Sequence, residues 1–133
     1  MVAVIEIARK PGLRVAPQGT GHGAPPRASL EGSVLADMSR MNAVEIDPDV
    51  RRARLQAGAQ WQHVVGPAAE HGLAGLSGTA PDVCVTGYAT GGGAGWMIRR
   101  YGLAANSIRA AELVTADGRQ VRADAGSEPE LFW

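Results

Sequence analysis

The chain has 133 residues, which is enough for one domain with a hydrophobic core but too few for two. Its 13 basic and 13 acidic side chains give a formal net charge of zero, and this balance argues against binding nucleic acid or a membrane through a basic face. No apolar run approaches the roughly 20 residues of a membrane-spanning helix, and the first residues lack a basic signal-peptide leader, so we expect a cytoplasmic protein. The single cysteine excludes an internal disulfide.

The first half of the chain predicts one helix followed by four short strands. The helix is expected to end before Pro11-Gly12, because both residues disfavour its continuation. Apolar or alternating segments predict the strands, and Pro48-Asp49 joins the last two as a hairpin. The predicted helix covers residues 2–9, and the predicted strands cover residues 13–16, 33–38, 43–47 and 52–58.

The second half predicts a longer helix over residues 60–71, from its apolar spacing. Gly66-Pro67 lies inside it, and since an internal proline costs roughly 3 kcal/mol, we expect a kink or a break there. Most of 73–87 is predicted as loop and 95–102 as a short helix at most. A final hairpin is expected around Asp117-Gly118, with strands over residues 108–115 and 120–123. The predicted class is α+β, with small mixed or antiparallel sheets flanked by helices.

Two glycine-rich loops carry the functional signal. The first glycine loop (residues 18–24, Gln-Gly-Thr-Gly-His-Gly-Ala) follows a strand, and successive free N–H groups in such a turn form a nest that binds phosphate. The second glycine loop (residues 91–95) has four glycines in five positions. Because so many glycines are entropically costly in a mere turn, they favour close approach of a ligand. Together the loops are suited to clamping a bulky anionic cofactor.

Other chemistry finds less support. The dinucleotide-binding fingerprint requires a helix directly after the glycines and an acidic residue at the end of a second strand about 20 residues on, and we predict neither here. There is no Walker lysine and no Gly-x-Ser-x-Gly nucleophile motif. The histidines His22, His63 and His71 are not at metal-ligand spacing, so no metal site is predicted. We expect His63 to be an exposed helix residue, and we assign no catalytic residue.

An ordered series of motifs resembles the FAD-binding domain of the FAD-linked oxidases, the vanillyl-alcohol oxidase and p-cresol methylhydroxylase (PCMH) superfamily. Within it the chain is most similar to the branch of berberine-bridge-enzyme-like proteins and 6-hydroxynicotine oxidases. The motifs are residues 15–24, 37–44, 55–61, 70–73, 87–103 and 113–118. The resemblance implies a PCMH-type FAD-binding domain over residues 1–133, incomplete at both ends and without the substrate domain.

The resemblance also implies a cofactor and its site. In the family the first loop wraps the FAD pyrophosphate, and its histidine is bonded to the 8α-methyl carbon of the flavin, a position that falls on His22. The implied FAD-binding residues are Gln18, Gly19, Thr20, Gly21, His22, Gly23, Ala24, Gly78, Thr79, Ala80, Asp82, Val83, Thr86, Gly87, Gly91 and Gly92. Some members carry a second tether through a cysteine, whose position falls on Ala80. We therefore expect a single tether and interpret Cys84 as a packing residue.

Two functions follow from this resemblance. The first is the FAD-binding domain of a flavin-dependent oxidoreductase, in which the flavin accepts a hydride from substrate and O₂ reoxidises it. The alternative is a non-catalytic, truncated scaffold that self-associates or needs a partner chain. Among the aromatic residues, we expect Trp61 to cover a sheet, and Trp96 and Tyr101 to brace the second glycine loop.

Overall fold

The computed structural model describes residues 1–24 and 29–133. The described residues divide into two compact units, each built from segments that are distant in sequence. The first unit comprises residues 1–17, 29–36 and 108–133, and the second comprises residues 18–24 and 37–107. No helix among the described residues is long and apolar enough to cross a membrane.

Two strands pair in parallel beside the first glycine loop. These are β1 (Arg14–Gln18) and β2 (Ser33–Asp37). Near the start of both strands, the Arg14 N–H donates to the Gly32 carbonyl at 3.0 Å. Past their far end, the Met38 N–H donates to the carbonyl of the last residue of β1 at 2.9 Å, so the strands run in the same direction. The first glycine loop therefore leaves the carboxyl end of a parallel strand pair.

The first unit also contains a helix and a hairpin. Helix α1 (Val2–Arg9) buries Ile5 and Ala8 on one face. Strands β5 (Ala110–Val114) and β6 (Gln120–Asp124) pair antiparallel, with the register that the Asp117-Gly118 turn predicts. A short helix, Pro129–Phe132, closes the described chain.

The second unit packs helices on a hairpin. Strands β3 (Val44–Asp47) and β4 (Arg52–Leu55) pair antiparallel, with Val44 opposite Leu55. Helix α2 (Trp61–Glu70) lies against them, and helix α3 (Val85–Thr90) follows after a long irregular segment. The core is Trp61, Val64 and Val85, against which Val44, Leu55, Val83 and Tyr88 pack. Two further short elements are the helix α4 (Ile98–Tyr101) and the 3₁₀ helix Ala104–Ser107.

The predicted α+β class, small sheets and hairpins are confirmed, as is a mostly irregular segment before Val85. Two local details differ: no break occurs at Pro67, and a helix begins at Val85. Helix α2 continues through Pro67 without a break. The missing N–H of Pro67 removes one bond in the second turn, and burial of Trp61, Val64 and Ala68 on one face offsets that loss. Helix α3 begins in a segment expected to be loop, because buried Val85 anchors it to the core despite an internal glycine.

Candidate cofactor site

The first glycine loop turns back on itself directly after β1. Gly21 has φ +75°, a left-handed conformation that side chains with a Cβ adopt only at a cost, so glycine suits this position. The Ala24 N–H donates to the Gly21 carbonyl at 3.0 Å and closes the turn. The Gln18 side chain lies 3.4 Å from the point where a Gly21 Cβ would stand. The turn therefore presents His22 at its tip, partly exposed.

Two polar contacts join the first glycine loop to the segment before α3. His22 Nε2 lies 3.1 Å from Asp82 Oδ2. The Cys84 N–H donates to Thr20 Oγ1 at 3.3 Å, across 64 residues of sequence. Three of these four residues, Thr20, His22 and Asp82, are ones that the sequence assigned to the cofactor, and the structure brings them together.

Gly19 and Cys84 pack closely beside the contact between the first glycine loop and the segment before α3. A Cβ on Gly19 would stand 2.4 Å from Cys84 Sγ, closer than real Cβ atoms approach other atoms. The Cys84 side chain is buried, and its thiol donates to the Ala57 carbonyl at 3.1 Å. Cys84 is thus a packing residue, as predicted. Gly19 has a packing role of its own, beyond the pyrophosphate contact that the resemblance implied.

Three glycines in the predicted site leave room against the backbone. Apart from chain neighbours and the backbone of α3, no described atom lies within 4 Å of the Cβ positions of Gly23, Gly87 and Gly92. A ligand can therefore approach the main chain closely at these positions, where a side chain would stand in its way. These openings fit a large cofactor such as FAD, because a glycine-rich turn of this kind can direct backbone N–H groups at phosphate oxygens.

The second glycine loop serves two purposes. A Cβ on Gly93 would stand 2.6 Å from Ala104 Cβ, and one on Gly95 would stand 2.2 Å from the Ser77 carbonyl oxygen, so both are glycines for packing. Gly91 and Gly92, which precede them, are the two that the sequence assigned to the cofactor. The expectation that Trp96 and Tyr101 brace this loop is wrong, since their side chains are 76% and 53% exposed.

The aromatic support of the second glycine loop comes instead from Tyr88. Its ring lies 2.8 Å from the position of a Gly93 Cβ, and it meets Trp61 edge-on at 5.5 Å between ring centroids. Tyr88 was not predicted as a site residue because it lies on helix α3, which the local sequence does not indicate. Trp61 packs against β3 and β4, as expected.

A cavity of about 450 Å³ lies beside these rings. It is lined in part by Gly78, Thr79, Ala80 and Val83, all predicted cofactor residues. The Trp61 Nε1 and the Tyr88 hydroxyl are buried without a hydrogen-bond partner among the described residues. Burial also raises the pKa of Tyr88, which keeps its hydroxyl protonated. In the loop before α3, Asp82 thus contacts His22, whereas the predicted cofactor residues Gly78, Thr79, Ala80 and Val83 line this cavity.

The remaining predicted cofactor residues lie on or just after α3. Thr86 is exposed on the helix, and its carbonyl accepts a hydrogen bond from the Thr90 hydroxyl at 2.8 Å. Gly91 follows the helix as its C-terminal cap, and its N–H donates to the Gly87 carbonyl at 3.1 Å. These residues follow one another along the chain from α3 to the start of the second glycine loop.

The other titratable groups form no metal site within the described ranges. The expectation that His63 is an exposed helix residue is wrong: it is half-buried, and its Nδ1 accepts the Gln60 N–H at 3.1 Å at the start of α2. The predicted absence of an acidic residue at the end of a second strand is also wrong. Asp37 ends β2, although its Oδ1 accepts the Ser39 N–H at 2.8 Å, which lowers the pKa of Asp37.

Known flavoproteins are similar to this chain in sequence. A sequence profile of the FAD binding domain family matches residues 1–124. The chain is 37% identical over 122 residues to (R)-6-hydroxynicotine oxidase of Paenarthrobacter nicotinovorans, a match that covers 92% of the chain and 27% of that oxidase. It is 35% identical over 127 residues to berberine bridge enzyme-like D-1 of Nicotiana tabacum, covering 91% of the chain and 22% of that protein.

Solved structures give the same result. The 6-hydroxy-D-nicotine oxidase of Arthrobacter nicotinovorans superimposes with a TM-score of 0.92 at 35% identity, covering 99% of the chain and 29% of the oxidase. The glucooligosaccharide oxidase of Acremonium strictum, described with a 6-S-cysteinyl, 8α-N1-histidyl FAD, superimposes with a TM-score of 0.86 at 29% identity and covers 99% and 28%. The chain thus spans about a quarter of the length of these relatives. On the profile match and these structural similarities, the chain belongs to the family of FAD-binding domains found in flavin-dependent oxidases of the vanillyl-alcohol oxidase type.

Proposed function

We propose that this chain holds FAD between the first glycine loop and the segment 78–92, as the cofactor domain of an enzyme that oxidises its substrate. The contact between His22 and Asp82 is the observation that carries the proposal, because it joins the two segments to which the resemblance assigns the cofactor. Bound flavin supplies the redox chemistry by accepting a hydride, and the protein supplies position and electrostatics.

Each segment has a distinct task in this proposal. The backbone N–H groups of residues 19–23 donate to the pyrophosphate, as nests of successive N–H groups do. The His22 side chain is 42% exposed, so its ring is accessible to a cofactor that reaches the loop. The openings at Gly87 and Gly92 let the opposite side of the cofactor lie against the main chain.

A single covalent tether through His22 is part of the proposal. The glucooligosaccharide oxidase is described with both a cysteinyl and a histidyl bond to FAD. This chain has Ala80 at the position that the resemblance gives to the cysteine, and alanine has no nucleophilic group. Cys84 is buried, and its thiol is hydrogen-bonded to Ala57, so it is not available as a substitute.

A second candidate function is a scaffold without activity that associates with another chain. The observation in its favour is the exposure of large apolar side chains, with Trp96 at 76%, Ile7 at 67% and Trp133 at 85%. Trp96 lies in the second unit, and Ile7 and Trp133 lie in the first. Exposed apolar side chains of this size are typical of association sites where they form a patch. Strong self-association in a protein that takes up no FAD would favour this candidate over the first.

The test is an absorbance scan of the purified protein from the near-ultraviolet to the blue, repeated on the pellet after acid precipitation. Flavin bands in the folded protein are expected, and a yellow pellet would indicate a covalent bond. His22→Ala should leave a colourless pellet while the native protein still takes up added FAD. A protein that stays colourless after incubation with FAD would overturn the proposal.

A further inference from the structure

We propose that Thr20 is a positioning residue for the cofactor: its hydroxyl oxygen accepts the Cys84 N–H and fixes the first glycine loop relative to the segment 78–84 before FAD binds. The inference rests on the proposed function, because it concerns the two segments that would hold FAD. It adds a role for the Thr20 side chain, whereas the proposed function uses only the backbone of this residue.

Among the described residues, a single hydrogen bond links the first glycine loop directly to the segment 78–92. The Cys84 N–H donates to Thr20 Oγ1 at 3.3 Å, in a partly buried position. The other polar link is the 3.1 Å pair of His22 and Asp82, whose side chains are 42% and 60% exposed, so solvent weakens their attraction. The Thr20 bond is therefore the better shielded of the two links.

Cys84 provides a fixed point for this bond, since its side chain is buried. Just before it, the Val83 carbonyl accepts the Trp61 N–H at 3.1 Å. Just after it, the Val85 N–H donates to the Ala59 carbonyl at 2.8 Å. These bonds attach the segment to the start of α2, where Trp61 belongs to the core of the second unit.

The first glycine loop has fewer restraints of its own. Three of its seven residues are glycines, which have more backbone freedom to lose than any other residue. At its start the Gln18 carbonyl accepts the Met38 N–H, and at its end the Ala24 N–H donates to the Gly21 carbonyl. Between Gln18 and Gly21, the Thr20 hydroxyl is the hydrogen-bonding group that ties the loop to the opposite segment.

A threonine side chain suits this task. Its branched Cβ restricts χ1, so the hydroxyl oxygen is held within a narrow range of positions. That oxygen accepts the Cys84 N–H and keeps its own proton. Valine has the same branched shape but no acceptor, so at position 20 it would leave a partly buried N–H without this partner, which is unfavourable.

The bond reduces the ordering that FAD binding requires. A loop that is held in place during folding loses its conformational freedom at that stage, and little further ordering is needed when a ligand arrives. Without the bond, the first glycine loop samples positions that do not match both sides of the cofactor, and binding must select among them. Thr20 therefore raises the affinity for FAD by preorganising the site, and its side chain does not need to contact FAD.

The experiment measures FAD affinity by fluorescence titration, in proteins that all carry His22→Ala so that binding stays reversible. Thr20→Val removes the hydrogen-bond acceptor, and Thr20→Ser keeps it. Thr115→Val is the matched control, because the Thr115 hydroxyl also makes hydrogen bonds, to Asp117 and to the Arg119 carbonyl, outside both cofactor segments. Circular dichroism checks that each protein is folded at the temperature of the titration.

We expect Thr20→Val to weaken FAD binding by about 3- to 10-fold, the effect of losing one hydrogen bond, and Thr20→Ser to stay within about two-fold of the protein with threonine. Thr115→Val should lower the thermal midpoint and leave FAD affinity unchanged, which separates a loss of stability from a loss of preorganisation.

Amide hydrogen exchange of Cys84 in FAD-free protein distinguishes positioning from a direct contact between Thr20 and FAD. The Cys84 N–H should exchange slowly with threonine or serine at position 20 and faster with valine, since the bond forms before FAD binds. Weaker FAD binding in Thr20→Val with unchanged exchange would indicate a direct contact and overturn the inference. Fast exchange in the unmodified protein would overturn it even if Thr20→Val did not fold.

Two further results of the titration would overturn the inference and leave the proposed function intact. One is an unchanged FAD affinity in Thr20→Val. The other is an affinity in Thr20→Ser that falls as far as in Thr20→Val, because the hydroxyl would then not be the group that matters. Failure of the unmodified protein to bind FAD would overturn the proposed function and the inference with it.

Discussion

Gly19 and Cys84 are packed so tightly that the Cβ of any other residue at position 19 would stand 2.4 Å from Cys84 Sγ and 2.7 Å from its Cβ. The two residues hold the first glycine loop against the segment before α3. The Cys84 thiol donates to the Ala57 carbonyl at the same place, so the sulfur cannot move away without losing that bond. The position of His22 relative to Asp82 depends on this packing.

The first prediction is that Gly19→Ala destabilises the protein by about 1–3 kcal/mol, the usual cost of overpacking. The neighbouring Cys84→Gly change removes both clashing atoms, so the double variant should lose less stability than the two single changes added together. Urea unfolding of the four proteins gives the coupling energy. Strict additivity would show that the two positions do not contact each other.

Gly23→Ala tests whether the space beside His22 belongs to a ligand. Apart from the two chain neighbours of Gly23, nothing in the described chain lies within 4 Å of the added Cβ, so we expect the free energy of unfolding to change by no more than about 0.5 kcal/mol. Affinity for FAD should fall, because the methyl group occupies the approach to the backbone. Equal FAD affinity in the variant, measured by fluorescence titration, would place the cofactor elsewhere.

The acid sensitivity of the β5–β6 hairpin can be predicted from two carboxylates. Hydrogen bonds from Thr115 and Arg119 lower the pKa of Asp117, and backbone N–H groups of Gly126 and Ser127 lower the pKa of Asp124, both from 3.8. Because both pKa values are lower in the folded than in the unfolded state, the stabilisation is present above 3.8 and is lost as the pH falls below it.

We expect carboxyl titration by NMR to give midpoints below 3.8 for Asp117 and Asp124. The Asp124→Asn protein should lose less stability on acidification than the unmodified protein, with Asp49→Asn as the control. A midpoint for Asp124 at or above 3.8 would show that the N–H groups of its turn do not favour the carboxylate.

The local sequence was sufficient to predict those elements in which the strand alternation and the turn residues indicate the same structure. The β3–β4 and β5–β6 hairpins follow from alternation together with Pro48-Asp49 and Asp117-Gly118. Helix α3 escaped prediction because Val85 is its one buried residue, so its stability comes from packing rather than from local preference. The unbroken α2 differs from expectation for the same reason, since its buried face outweighs Pro67.

The site was predictable in its segments but not in its contacts. The glycine pattern and the resemblance identified both segments, including Asp82 and His22. The contact of those two residues is a tertiary relationship across the chain, and no spacing rule encodes it. The same holds for Gly93 and Gly95. Their sequence pattern is that of ligand-binding glycines, and only the folded structure shows that they pack against Ala104 and Ser77.

The most direct test of the account is mass spectrometry of the protein after acid denaturation, followed by mapping of the proteolytic peptides. The peptide containing His22 is expected to carry the added mass of FAD less two hydrogens, and this added mass should disappear in His22→Ala. A peptide of unmodified mass from protein incubated with FAD in air would contradict covalent attachment at His22. The complete absence of bound flavin would contradict the cofactor function.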